Sequence, residues 1–262
     1  MLSYQHGFHA GNRADVLKHA VLDTLLRTAA KGPRPVFYVE THAARGRYDL
    51  TGTQARKRGE ADTGVIPLIK GAAPPPLSPW IDLVRARGVT DYPGSPALAQ
   101  ARLPANARMV LFERHPQEHA ALVEAMKGDE RILIQRADGY GGALRLAPRA
   151  GEQIVVLVDP SYETRRDIEA LALWTPKALK RWPNGMLILW LPLFRDGREA
   201  EFGEYLATLG DAMIAGARWP VATDDTSSLE GSAMVAFGVP EPARAPCEAI
   251  ASSLESLWKT TK

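Results

Sequence analysis

Five short apolar runs punctuate the chain: Val36 to Val39, Met109 to Phe112, Ile132 to Ile134, Ile154 to Val158 and Met186 to Leu191. None alternates with polar residues, so each reads as a strand buried on both faces, the habit of a parallel sheet covered by helices. Between the runs the period changes. From Ala14 to Ala29, residues Val16, Leu17, Ala20, Val21, Leu25 and Leu26 recur at helical spacing, with Asn12 or Asp15 as N-cap and Gly32 as the stop. Glu118 to Lys127 and Asp167 to Arg181 carry the same signature. Met234 to Val239 predicts an edge strand, and the tail from Pro240 a closing amphipathic helix. This alternation predicts a doubly wound α/β fold.

One interval breaks the rhythm. Between Val39 and Met109 lie Pro74-Pro75-Pro76, Pro79 and the turn Asp91-Tyr92-Pro93-Gly94-Ser95-Pro96, a proline density that forbids one long helix. Residues 47–93 read as a small, partly helical inserted subdomain in a Rossmann-like domain formed by 1–46 and 94–262. Charge sharpens this division. The net charge is +2, yet Arg45 to Arg87 holds eight basic residues against four acidic ones, an asymmetry that suits a polyanionic partner. Arg56, Lys57 and Arg58 are the densest cluster.

Composition narrows the class further. The 262 residues are 45% hydrophobic and 24% charged, which excludes extended disorder. The single cysteine, Cys247, excludes a disulfide framework and a Cys-rich zinc site, and fits a reducing, cytoplasmic compartment. No apolar stretch approaches the ~20 residues needed to span a bilayer, and the N-terminus lacks a secretory layout. His6, His9, His19 and His42 lack metal-ligand spacing, so the site is expected to be metal-free. His115 and His119 read as solvated surface; Trp174, Trp182 and Trp190 read as packing, with Trp190 able to border a bound base.

In open α/β sheets ligands bind beyond the carboxyl ends of the strands. Here those ends read Glu40-Thr41-His42, Glu113-Arg114, Asp138-Gly139-Tyr140 and Asp159-Pro160-Ser161-Tyr162. Each carries an acid. A carboxylate after the second strand is placed to accept two ribose hydroxyls, and one after the third to accept an exocyclic amine. The last motif suits methylation of an amino group, whose nitrogen lone pair is delocalised into its ring. Asp159 and the Pro160 carbonyl supply two acceptors that draw the amine toward tetrahedral geometry, while Tyr162 stacks on the base.

Asp159-Pro160-Ser161-Tyr162 is similar to the (D/N/S)PPY motif of amino-directed methyltransferases. The block from Met1 to His19, Thr41-His42-Ala43-Ala44-Arg45-Gly46-Arg47-Tyr48 and Tyr92-Pro93-Gly94-Ser95-Pro96 resemble motifs of the RlmJ family, bacterial 23S ribosomal RNA (adenine-N6) methyltransferases. The likeness runs in order from residue 1 to about 195. It implies a class I S-adenosylmethionine-dependent methyltransferase fold, S-adenosylmethionine as cofactor and 23S rRNA as partner. By position it implies cofactor contacts at Lys18, His19, His42, Ser95, Glu113, Asp138, Gly139 and Asp159, catalysis at Asp159 with Pro160 and Tyr162, and a substrate contact at Tyr4. Arg56, Lys57, Arg58 and Tyr162 complete the expected RNA contacts. Ala44 and Ser161 depart from the family, which has glycine and a second proline there. The rival readings are a DNA adenine-N6 methyltransferase and a non-catalytic RNA-binding paralogue.

Overall fold

The computed structural model describes residues 5–162, 165–221 and 229–260; Tyr4 lies outside them. Seven strands form the central sheet: β1 (Val36–Glu40), β2 (Arg108–Phe112), β3 (Ile132–Gln135), β4 (Gln153–Val158), β5 (Met186–Phe194), β6 (Ala212–Arg218) and β7 (Leu229–Phe237). Their order is β3-β2-β1-β4-β5-β7-β6. The first five run parallel, and β7 is antiparallel to both its neighbours.

All five apolar runs are strands, but two expectations about the sheet's margins need correction. The strand containing Met234 is not an edge: β7 lies between β5 and β6, and β6 is the true edge. The small residues of β6 gave no strand signal, and one of its few large residues, Ile214, is 50% exposed. At the other edge β3 is not buried on both faces, for Leu133 is 55% exposed. A continuous apolar run marks a strand and does not say which strand has a neighbour on only one side.

Helices cover both faces. On one lie α1 (Arg13–Ala30), α2 (Ser95–Arg102), α3 (Pro116–Ala125) and, at the chain's end, Glu241–Thr260; on the other lie Gly139–Leu144, Arg165–Arg181 and Ala200–Thr208. β1 shows how one strand serves both layers: Tyr38 joins the first core, and Phe37 and Val39 join the second. Asn12 caps α1 by accepting the Asp15 N–H at 2.8 Å. His115, read as solvated surface, instead caps α3, its ring accepting from the Gln117 and Glu118 amides.

Residues 47–93 begin and end in a two-residue ribbon, Arg47–Tyr48 against Tyr92–Pro93. Between them run short helices at Thr53–Arg58, Val65–Lys70 and Ser78–Arg87. Leu77, Trp80, Ile81 and Val84 are buried in the same core as α1. Part of the basic excess is spent on structure. Arg47 binds Asp91 and Gln100, and Arg85 donates to the carbonyls of Leu68, Ile69 and Gly71, closing the end of a short helix. Arg56, Lys57 and Arg58 remain exposed on the last turn of theirs.

Candidate active site

The strand order reverses direction between β1 and β4, and the crevice at such a switch point is where open α/β sheets bind ligands. A cavity of about 470 Å³ opens there, a size that accommodates a nucleoside-sized ligand. Ten sequence-predicted residues line it: Lys18, His19, His42, Ser95, Glu113, Asp138, Gly139, Asp159, Pro160 and Tyr162. Arg56, Lys57 and Arg58 do not.

The wall contributed by α1 carries Asp15, Lys18 and His19. Lys18 lies fully inside, its Nζ 2.9 Å from Asp15 and 2.7 Å from Asp159 Oδ2, and 5.7 Å from the centre of the Trp190 ring. Burial pulls the ammonium pKa down, but the two carboxylates outweigh it and hold it above the ordinary lysine value. Burial drives His19 down to about 3, helped by the charges of Lys18 and His6. The ring is therefore neutral at pH 7, with Nδ1 2.9 Å from the Tyr92 hydroxyl.

The loop after β1 forms the floor. Glu40 is completely buried and accepts hydrogen bonds from Tyr38, at 2.9 Å, and from Ser95. Burial raises its pKa to about 8, with the neighbouring Asp159 adding to the rise, so it is mostly uncharged at pH 7. Gly139 lets the helix Gly139–Leu144 approach this loop, since a Cβ there would sit 1.9 Å from the Thr41 carbonyl oxygen. Beyond Thr41 the chain turns through Ala44, whose φ of +48° is the conformation glycine would adopt without strain.

The rim holds the acids. Glu113 accepts the Ala44 N–H at 2.8 Å and the His115 N–H at 2.6 Å, and its pKa is raised by burial. Asp138 caps its helix through the Gly141 N–H at 2.7 Å. Tyr162 has a φ of +50°, stands edge-on to Trp190 at 5.5 Å and donates to the Trp190 carbonyl at 2.6 Å. Adenosyl groups offer O–H and N–H donors, and carboxylates at the ends of β2 and β3 are the acceptors they require. The residues present thus fit the methyl donor. Among the described residues no group of three or more His, Cys, Asp or Glu could hold a metal ion, and no helix is long and apolar enough to cross a membrane.

Several functional neighbours escaped sequence reasoning. Asp15 was legible only as a possible cap, yet it is a buried charged hub. Tyr140 and Asp167 also line the cavity. The spacing of Asp15 and Lys18, one helical turn apart, was the available signal.

Parallel strands in the order 3-2-1-4-5, a reversed seventh strand between the fifth and sixth, and an acid-rimmed cavity at the switch point define a Rossmann-like methyltransferase. A crystal structure of a Legionella pneumophila protein shares the fold, with a TM-score of 0.86 over 97% of this chain and 96% of that one at 23% identity. Two curated relatives are each called ribosomal RNA large subunit methyltransferase J. That of Escherichia coli is 33% identical, covering 74% of this chain and 71% of its own; that of Haemophilus influenzae is 28% identical, covering 92% and 88%. A sequence model described as Ribosomal RNA large subunit methyltransferase D, RlmJ, matches residues 33–258, well past the last recognisable motif. The chain belongs to the RlmJ family of methyltransferases, and S-adenosylmethionine is its methyl donor.

Proposed function

We propose that the protein methylates N6 of an adenine in 23S rRNA, in the cytoplasm, with Asp159 as the catalytic residue. The observation that carries this reading is the setting of Asp159: it ends β4 at the switch point, its Oδ2 is engaged by the buried Lys18 ammonium, and Pro160 and Tyr162 follow it. The names of the curated relatives support the polymer.

Bound S-adenosylmethionine supplies an electrophilic methyl on a sulfonium. With Oδ2 held by Lys18, Asp159 accepts an amine N–H at Oδ1 and the Pro160 carbonyl accepts the other, which localises the nitrogen lone pair for attack. Receipt of the methyl group would leave the amine nitrogen cationic, and the Asp159 carboxylate would stabilise that charge and take up the released proton at Oδ1. Glu113 and Asp138 hold the adenosyl group, with His42, Ser95, His19 and Gly139 completing that side. The target base leaves its stack to reach Tyr162. Residues 47–93, with Arg56, Lys57 and Arg58, and the N-terminal segment containing Tyr4 grip the RNA.

Asp159→Asn tests the assignment. Methyl transfer to rRNA should fall by about 10²–10⁴, while affinity for S-adenosylhomocysteine stays within a few-fold. Half of wild-type turnover would remove Asp159 from the mechanism, and equal labelling of DNA by the wild type would overturn the choice of polymer.

A further inference from the structure

Asp15 lies three residues before Lys18 on α1, one turn away and completely buried. It accepts the Gly11 N–H at 2.9 Å, faces His6 Nε2 at 2.9 Å and Lys18 Nζ at 2.9 Å, and has His19 Nε2 at 3.8 Å. The second carboxylate on Lys18, Asp159, comes from the opposite side of the cavity, 141 residues away in the chain. The ammonium thus stands between a permanent partner on its own helix and the carboxylate that receives the amine. A lone Lys–Asp159 pair in this enclosure would have an alternative: the proton passes from Nζ to the carboxylate and both groups become neutral, which removes two buried charges. A neutral Asp159 presents an O–H and a weaker acceptor. With two carboxylates on one ammonium, neutralising Lys18 leaves a carboxylate without a cation, and that escape closes.

We propose that Asp15 is a positioning residue for methyl transfer: it keeps Lys18 charged and in place, so that Asp159 meets the target amine as an oriented carboxylate. Burial alone would raise the Asp15 carboxyl, but His6 and the Lys18 ammonium hold it well below the usual range. Of the groups that raise Lys18 against its own burial, Asp15 stands first and Asp159 second. The charged or titratable groups facing the pair are His6 from the N-terminal turn, His19 on α1 itself, Asp159 at the end of β4 and Glu40 at the end of β1, together with Tyr92 of the ribbon.

The inference rests on the reading of Asp159 as the catalytic group. Asp15→Asn is nearly isosteric and removes the charge. Single-turnover methyl transfer should fall about 10–100-fold, the scale of a misplaced reacting group, with S-adenosylhomocysteine affinity within a few-fold. The distinguishing readout is the pH profile. With Asp15 gone, burial has less to oppose it and the Lys18 pKa falls, so the variant acquires an alkaline limb, a loss of rate with rising pH beyond any that the titration of Glu40 imposes on both proteins. Asp15→Glu, which keeps the charge, should restore the wild-type profile even at a reduced rate, and it carries the test alone if the amide variant does not fold. An Asn variant with a wild-type profile, or a Glu variant that acquires the alkaline limb, overturns the proposal. Failure of the Asp159 assignment would show separately, as turnover surviving in Asp159→Asn.

Discussion

The two departures from the family's motifs sit at strained or exposed points of the backbone. Ala44 adopts a left-handed φ of +48° just where the family carries glycine. That conformation costs an L-residue about 1–2 kcal/mol, and glycine loses about 0.5–1 kcal/mol through greater unfolded freedom. Ala44→Gly should therefore stabilise the protein by about 0.5–1 kcal/mol, raising Tm by about 1–4 °C in a calorimetric scan; a lower Tm would show that the methyl group packs usefully. The second departure, Ser161, is exposed and is followed by Tyr162 at φ +50°. At this scale the sequence was most legible where chemistry is local. Asp138, Glu113 and Asp159 stood out because each follows a strand. Glu40 also did, but nothing in its neighbourhood of the chain says that Ser95 and Tyr38 enclose it. Asp15 was disguised by its place in the first turn of α1, where acids are common for electrostatic reasons alone.

Among the elements, the helix Gly139–Leu144 depends on its first residue. A Cβ at Gly139 would sit 1.9 Å from the Thr41 oxygen, and backbone cannot yield as a side chain does, so the helix must lift off the loop after β1. Gly139→Ala should cost about 1–3 kcal/mol and weaken S-adenosylhomocysteine binding at least tenfold by calorimetry; an unchanged dissociation constant would mean that the helix takes no part in the site. The helix Thr53–Arg58 is a contrasting case. Its cations are exposed and lie outside the cavity, with Lys57 5.7 Å from the centre of the Phe8 ring. Neutralising Arg56, Lys57 and Arg58 should flatten the salt dependence of RNA binding by ~0.7 in log–log slope for each lost phosphate contact and leave cofactor affinity alone. An unaltered slope would reduce them to a solvated face. Strands were read well because apolar runs announce themselves. β6 escaped because its inward residues are small, Ala215 and Ala217 among them, and its role as an edge is set by partners far along the chain.

For the molecule as a whole, the buried Glu40 ties stability to pH. Its carboxyl is raised to about 8 in the folded chain and returns to about 4.5 when unfolded. Between those values the unfolded state binds fewer protons, so this residue's contribution is full below about 4.5 and is lost as pH rises through 8. Glu40→Gln keeps the shape without the titration, so its Tm relative to the wild type should climb across that window; a constant difference would show that Glu40 does not change charge on unfolding. The cavity also has a place in time. Lys18 lies on α1, while its partner Asp159 is synthesised 141 residues later. Contacts of such sequence separation bear a large closure entropy and form late in folding, and interactions absent from the folding transition state govern how fast a protein unfolds more than how fast it folds. Closure of the charged centre therefore comes near the end of assembly: a nascent chain that has built α1 and β1 has no methyl-transfer site, and the ion pair across the finished one acts as a latch on the native state.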